Sequence, residues 1–294
     1  MMTDDFLEYL RLERNYSMST VECYGRSLRD LDEYFGRLDS SLSWTTIDSD
    51  IVRDWLGKLM EGGASPSTVN LKLSAVKAFY RWALRRGHVK ADPVSLIQGP
   101  KRRRPLPNFV RDKEMDKLLD PLNWGDDYES FLARTLLIVF YETGIRLAEL
   151  VGLDDKDVNL TNAELKVTGK RRKQRIVPFG EEVVRTVEEY RAKRDATVAE
   201  KQSEAFFLDH KGRRITRSQV EHRVRQALEA VPMLGKHSPH VLRHTFATSM
   251  LNHGAGLESV KKLLGHSSLA TTEIYTHTTF EQLKRAYSEA HPRA

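Results

Sequence analysis

The last part of the chain combines a tyrosine with residues that could activate it. Within residues 240–275 the sequence carries His240, Arg243, His266 and Tyr275. A tyrosyl oxygen needs help to lose its proton at neutral pH, and neighbouring imidazole and guanidinium groups lower its pKa. Tyr275 is therefore a candidate nucleophile toward a phosphate ester, although an isolated tyrosine more often serves only in packing.

Two arginines could hold that phosphate. A phosphoryl group gains negative charge in the transition state, and the forked, permanently charged guanidinium stabilises it best. Arg146 lies between two apolar residues at the start of a predicted helix, and Arg243 lies near the start of another. An ion pair of Arg146 with Glu142 or Glu149 is the structural alternative.

His240 and Arg243 are three residues apart, so one helix face presents an imidazole beside a guanidinium. This pair suits acid-base chemistry at a phosphate. His240 and His244 also have the spacing of zinc ligands, but position 241 is Val241, where a His-Glu-x-x-His hydrolase needs a glutamate. A metal site is not the prediction.

Other motifs for phosphate or metal chemistry are incomplete. Gly169–Lys170 lacks the Walker pattern, because position 164 is Glu164 and Arg171 follows the lysine. ATP use is therefore not predicted. Three acidic residues have the chemistry of magnesium ligands, namely Asp154, Asp155 and Asp157. We interpret them instead as acids at a helix end.

The composition favours an anionic partner in a reducing compartment. The 294 residues include 47 Lys and Arg against 41 Asp and Glu, with a pI near 9.3. The lone Cys23 cannot form an internal disulfide, and early acidic residues interrupt any signal peptide. The apolar run Leu136–Tyr141 is too short for a membrane span. We expect a cytoplasmic protein without a membrane role.

The elements that position these residues fall into two predicted domains, 1–98 and 109–294. The first is a bundle of four short helices. One lies near Asp5–Leu12, and the second begins at a capping box of Ser19 with Glu22. The third carries the apolar stripe Val52–Leu59, and the fourth begins at Ser65–Pro66. The segment 99–108 is rich in proline and carries Lys101, Arg102, Arg103 and Arg104. It is either a flexible linker or, as we favour, a strap against phosphates.

The second domain is predicted to be mostly helical with a small sheet. Strands Leu165–Thr168 and Arg175–Pro178 flank the cationic turn Gly169–Gln174. The helices are expected at Tyr128–Tyr141, Arg146–Leu153, Glu181–Lys193, Arg217–Leu228, Pro239–Asn252, Leu257–Leu264 and Phe280–Ser288.

Together these pieces resemble the tyrosine recombinases, and among them the Xer type, over nearly the whole chain. The resemblance rests on the order and spacing of five segments: Tyr141–Leu150, the Gly169–Lys170 hairpin ending in Val177–Pro178, His240–Thr248, Leu264–His266 and Ile274–His277. The terminal His291–Ala294 also resembles the Xer type.

The resemblance implies roles for six residues. Arg146 and Arg243 would hold the scissile phosphate, and Lys170 would protonate the leaving 5′ oxygen. His240 and His266 would assist proton transfer. Tyr275 would attack the phosphate, giving a 3′-phosphotyrosyl intermediate. A 5′ hydroxyl from another strand would then attack that intermediate and reverse the step. No metal, nucleotide or other cofactor is expected.

The resemblance also implies a mainly α fold with a small antiparallel β-sheet. A four-helix DNA-binding domain and a mixed, mostly helical catalytic domain would form a clamp around double-stranded DNA. Homotetramers, or heterotetramers with a paralogous recombinase, would act on two duplexes. The C-terminal segment would dock into a neighbouring subunit through Leu283, Ala286 and Tyr287.

One departure from the family concerns the hairpin. Arg171 and Arg172 replace the common Gly-Asn turn, so Lys173 competes with Lys170 for the role of the acid. Arg171, Arg172 and Lys173 are also expected to contact DNA. The implied function is site-specific recombination, in chromosome dimer resolution or mobile-element integration and excision. A DNA-binding protein that does not cut, and a strand-relaxing topoisomerase, are the alternatives.

Overall fold

The chain divides into two compact units, Met1–Pro105 and Leu106–Ala294. The computed structural model describes residues 2–101, 109–169, 173–232, 234–265 and 277–293, with residues 277–282 described by their backbone alone. The division falls inside the basic segment 99–108. The domain limits of 98 and 109 stay predictions.

The first unit has the predicted four helices. They are α1 (Met2–Leu12), α2 (Met18–Leu38), α3 (Ser49–Glu61) and α4 (Pro66–Arg85). The core is rich in aromatic rings, with Phe79 fully buried against Trp44 and Phe6. The Tyr80 hydroxyl donates to the Trp44 carbonyl at 2.9 Å. Each large apolar side chain buried here stabilises the fold by about 1.5–3 kcal/mol.

The predicted start of α2 is wrong by a few residues. The N-cap is Ser17, whose extended backbone precedes the helix and whose hydroxyl accepts from the Thr20 N–H. Ser19 lies inside the first turn, so its capping box with Glu22 is not formed. A serine two positions earlier satisfies the free N–H groups first.

The second unit is built around a buried central helix. Its helices are α5 (Asp112–Leu119), α6 (Tyr128–Thr143), α7 (Leu147–Val151), α8 (Glu181–Thr197), α9 (Arg217–Leu228), α10 (Pro239–Asn252), α11 (Leu257–Leu264) and α12 (His277–Ala290). Helix α6 is buried nearly all round, from Leu132 to Thr143, and packs against α8, α9 and α10. A helix enclosed in this way carries apolar residues on every face.

The second unit also contains a small antiparallel sheet. Its strands β1 (Val158–Asn159), β2 (Glu164–Thr168) and β3 (Gln174–Pro178) pair in the order β1-β2-β3. In the β2–β3 register, Leu165 faces Val177 and Val167 faces Arg175. All four are buried, so the period-two alternation of β3 places an arginine on the inner face of the sheet.

The mainly helical architecture with a small antiparallel sheet is therefore confirmed. Helix α5 and strand β1 were not predicted. Among the helices in the described part of the chain, none is long and apolar enough to cross a membrane.

Candidate functional site

Arg146 lies where the central helix α6 ends. Gly144 terminates α6 in the left-handed conformation with φ 59°, and a Cβ there would lie 2.4 Å from a ring carbon of Phe246. Only glycine permits this turn. It directs the chain so that Arg146 becomes the N-cap of α7, with its Nη2 donating to the Gly265 carbonyl at 2.9 Å.

Arg243 reaches the same place from α10. Its guanidinium is buried and donates to the Gly144 carbonyl, and to the Leu264 carbonyl at 2.7 Å. The two predicted arginines therefore meet around the ends of α6 and α11. Arg243 makes no ion pair with any carboxylate of the described residues, although the residue is only 8% exposed.

A third arginine and one carboxylate complete the cluster. Glu149 is buried and pairs with Arg146 at 2.8 Å, as the alternative interpretation of Arg146 proposed. Arg175 holds the same carboxylate with both ends of its fork, at 2.7 and 3.0 Å. We call Arg146, Glu149, Arg175 and Arg243 the arginine cluster. The cluster holds three guanidinium groups and one carboxylate, which Arg146 and Arg175 share, so it favours a further anion.

The pKa values follow this charge imbalance. Burial, followed by the charges of Arg146 and Arg175, lowers the pKa of Arg243 to about 10. Burial alone would raise the pKa of Glu149, but hydrogen bonds and charge from Arg175 and Arg146 hold it below its ordinary value. Both groups are therefore charged at neutral pH. An anion placed beside Arg243 would relieve the repulsion among the three cations.

The remaining predicted site residues fall into two groups. His240 is exposed in the first turn of α10, three residues before Arg243, and Lys101 and Lys173 are exposed. The others lie outside the described residues: Arg102, Arg103, Arg104, Lys170, Arg171, Arg172, His266 and Tyr275.

The acidic residues considered for magnesium have other partners. Asp154 pairs with Arg214, and Asp155 accepts from Arg194 at 2.8 and 3.2 Å. Asp157 accepts from the Asp154 N–H in the cap of a short 3₁₀ turn. Among the described residues, no group of three or more His, Cys, Asp or Glu side chains could hold a metal ion.

The sequence interpretation missed Arg175. A signal for it was present, because Arg175 and Val177 alternate with Gln174 and Ile176 along β3. A charged side chain on the buried face of a strand requires an oppositely charged or hydrogen-bonding partner. That requirement predicts a buried partner for Arg175 without identifying which residue it is.

Family models and proteins of known name are similar to this chain. The model of the phage integrase family matches residues 108–282, and that of the phage integrase N-terminal SAM-like domain matches residues 3–87. A Chlorobaculum tepidum protein named tyrosine recombinase XerC is 38% identical, covering 99% of this chain and 94% of its own. A Mycobacterium tuberculosis protein of the same name is 38% identical, covering 99% and 98%.

Solved structures share the fold at lower identity. The XerH site-specific recombinase bound to a palindromic difH substrate has a TM-score of 0.72 at 23% identity, covering 97% of this chain and 84% of that one. The Tn1549 transposon integrase in complex with transposon right-end DNA has a TM-score of 0.74 at 20% identity, covering 98% of both chains.

Proposed function

Because the chain belongs to the phage integrase family as an Xer-like tyrosine recombinase, we propose that Tyr275 cleaves one DNA strand at a specific site. Its oxygen attacks the scissile phosphorus and forms the 3′-phosphotyrosyl bond. The bond to the 5′ oxygen breaks, and that oxygen leaves as a hydroxyl. A 5′ hydroxyl from another strand then attacks the phosphotyrosine and releases Tyr275, so the energy of the phosphodiester is kept.

The observation that carries the proposal is Arg243, a buried guanidinium that lacks a carboxylate partner among the described residues. Leaving a buried charge unpaired is costly, so such a residue indicates a ligand of opposite charge. Arg146 is 37% exposed beside it and offers a second fork to the same anion. The proposed anion is the scissile phosphate, whose transition state gains the charge that the arginine cluster favours.

The proton transfers are assigned to three residues by resemblance. Lys170 gives its proton to the leaving 5′ oxygen, while His240 and His266 assist proton transfer around the phosphate. The neighbours of the two undescribed residues support these roles. Gly169 lies beside Glu149, since a Cβ there would be 3.4 Å from its Oε1. Gly265, just before His266, accepts a hydrogen bond from Arg146.

Charge supports double-stranded DNA as the substrate. The basic residues of segment 99–108, from Lys101 to Arg104, are proposed to follow the phosphate backbone. Arg171, Arg172 and Lys173 are proposed to contact DNA from the β2–β3 turn. We further propose a tetramer on two duplexes, of this chain alone or with a paralogue, that works in the cytoplasm without a metal or nucleotide cofactor.

The test is covalent trapping on a nicked duplex. The nick lets the short cleaved fragment diffuse away, so the protein stays attached to DNA. Native chain should give an adduct, whereas Tyr275→Phe should bind the duplex and give none. Tyr16→Phe, which removes a hydroxyl from the first unit, is the matched control and should behave as native.

The outcomes separate the alternative functions. Binding without an adduct in the native chain would indicate a protein that only occupies its site. Adducts from Tyr275→Phe would overturn the nucleophile assignment. Mapping the adducts across the source genome identifies the target, since a single chromosomal site indicates dimer resolution and element ends indicate integration or excision.

A further inference from the structure

Arg175 joins three segments that lead to proposed catalytic groups. Its guanidinium contacts Glu149 of α7 and donates from Nε to the Leu263 carbonyl of α11 at 3.0 Å. Its own strand β3 is one arm of the hairpin that carries Lys170. We propose that Arg175 is a positioning residue for strand cleavage and that it fixes Arg146 through Glu149. This inference rests on the proposed function.

The hydrogen bonds of Glu149 support this role. Its Oε1 accepts from Arg146 Nη1 at 2.8 Å and from Arg175 Nη1 at 2.7 Å. Its Oε2 accepts from the Arg146 backbone N–H at 2.7 Å and from Arg175 Nη2 at 3.0 Å. Four donors occupy the acceptor sites of the carboxylate. The rotamer of Glu149, and with it the direction of the Arg146 fork, therefore depends on Arg175.

The other side of the Arg175 guanidinium supports the end of α11. Gly265 adopts φ 63°, and a Cβ there would lie 3.0 Å from the Arg175 Cζ. The backbone therefore packs directly on the guanidinium, while the Gly265 carbonyl accepts from Arg146. A displaced Arg175 would release this turn, which immediately precedes His266.

Stability alone does not require an arginine at this position. The inner face of the sheet is otherwise apolar, with Val167 opposite Arg175 and Val177 beside it. A buried ion pair is often no more stabilising than well-packed apolar side chains of similar size. What the arginine adds is a planar fork with a third donor, which binds a carboxylate and a carbonyl in fixed directions. Lysine has the charge but not the fork.

The experiment compares Arg175→Lys with a matched buried arginine elsewhere in the second unit. Arg194 is 2% exposed and binds Asp155 with both ends of its fork and the Phe206 carbonyl with Nη1. Arg194→Lys therefore removes an equivalent fork away from the cluster. For each full-length variant we would measure DNA affinity, the single-turnover rate of adduct formation at saturating nicked duplex, and the melting temperature.

We expect Arg175→Lys to bind DNA within about threefold of native and to form the adduct roughly 10²-fold more slowly, because a small misplacement of a catalytic group costs about that much. Arg194→Lys should lower the melting temperature about as much as Arg175→Lys does, while its cleavage rate stays within threefold of native. A native rate for Arg175→Lys would overturn the positioning role. Equal rate losses in both variants would overturn it too, because they would indicate a general effect of instability.

A double-mutant cycle tests the route through Glu149. Glu149→Gln keeps the shape of the side chain and removes its charge. If Arg175 acts through this carboxylate, Arg175→Lys should slow cleavage much less in the Glu149→Gln background than in the native one. Independent, multiplying losses would overturn the route. Absence of adduct from the native chain would instead overturn the proposed function, so the two failures are distinguishable.

Discussion

Glu142 should make the stability of the second unit depend on pH. This carboxyl lies fully buried on α6, and its Oε2 accepts from the Tyr287 hydroxyl at 2.8 Å and lies 3.6 Å from Nδ1 of His291. Burial raises its pKa to about 8 from the ordinary 4.5, against the lowering effect of the Tyr287 hydrogen bond. Burial also lowers the pKa of His291 to about 3 from the ordinary 6.5. Both groups are therefore neutral near pH 7.

The two shifts act in opposite directions. Glu142 binds its proton more tightly when folded, so its contribution to stability is complete below about pH 4.5 and is lost as the pH rises through about 8. His291 binds its proton less tightly when folded, so its contribution is complete above about pH 6.5 and is lost toward pH 3. Between about pH 4.5 and 6.5 the two slopes cancel. Above that window only Glu142 contributes.

The expected loss is about 2 kcal/mol between roughly pH 6.5 and 8.5, since each pH unit below the folded pKa costs about 1.4 kcal/mol. Urea unfolding followed by circular dichroism at several pH values measures it. Glu142→Gln mimics the protonated carboxyl and should abolish the decline. Glu188→Gln, which changes an exposed acid on α8, should retain it. An equal decline in the native chain and in Glu142→Gln would show that Glu142 does not cause it.

Three further predictions concern the reaction with DNA. Cleavage should be unchanged in EDTA, because in the proposed reaction guanidinium groups stabilise the developing charge in place of metal ions; loss of cleavage that magnesium or zinc restores would contradict this. Neutralising Lys101–Arg104 should weaken binding to all sequences alike and reduce the salt slope by up to about 3.6, and an unchanged slope would indicate a plain linker. Lys170→Ala should cleave a substrate with a bridging 5′ sulfur at nearly the native rate, because a thiolate leaves without a proton, while Arg146→Ala gains much less. Rescue of Lys173→Ala instead would identify Lys173 as the acid.

Much of the helical framework could be predicted because its end signals are local. Helices α9, α10 and α11 begin and end at the predicted residues. Proline at the first position of α10 and Gly265 after α11 mark these limits in the sequence. Helix α5 was missed because it follows Arg111, which is not a typical N-cap residue, and buries only Met115 and Leu119. Strand β1 has two residues, too few to show an alternation.

The site was predictable only in part, because some of its contacts join residues that are distant in the sequence. Residue chemistry singled out Arg146 and Arg243, and the structure brings them together at the ends of α6 and α11. The sharing of Glu149 between Arg146 and Arg175 depends on how β3 packs against α7, which no local pattern encodes. Nothing near Arg175 in the sequence identifies its partner, 26 residues away.

Tyr275 is proposed to form the bond to DNA, and identifying the residue attached to DNA tests this assignment without intermediate assumptions. Adduct trapped on a nicked duplex would be digested with protease and nuclease, and the DNA-linked peptide would be sequenced by mass spectrometry. We predict that a 3′-phosphate-linked nucleotide is attached to Tyr275 and that the other DNA end is a free 5′ hydroxyl. Attachment to a different residue would overturn the assignment of Tyr275, and attachment through a 5′ phosphate would overturn the proposed direction of cleavage.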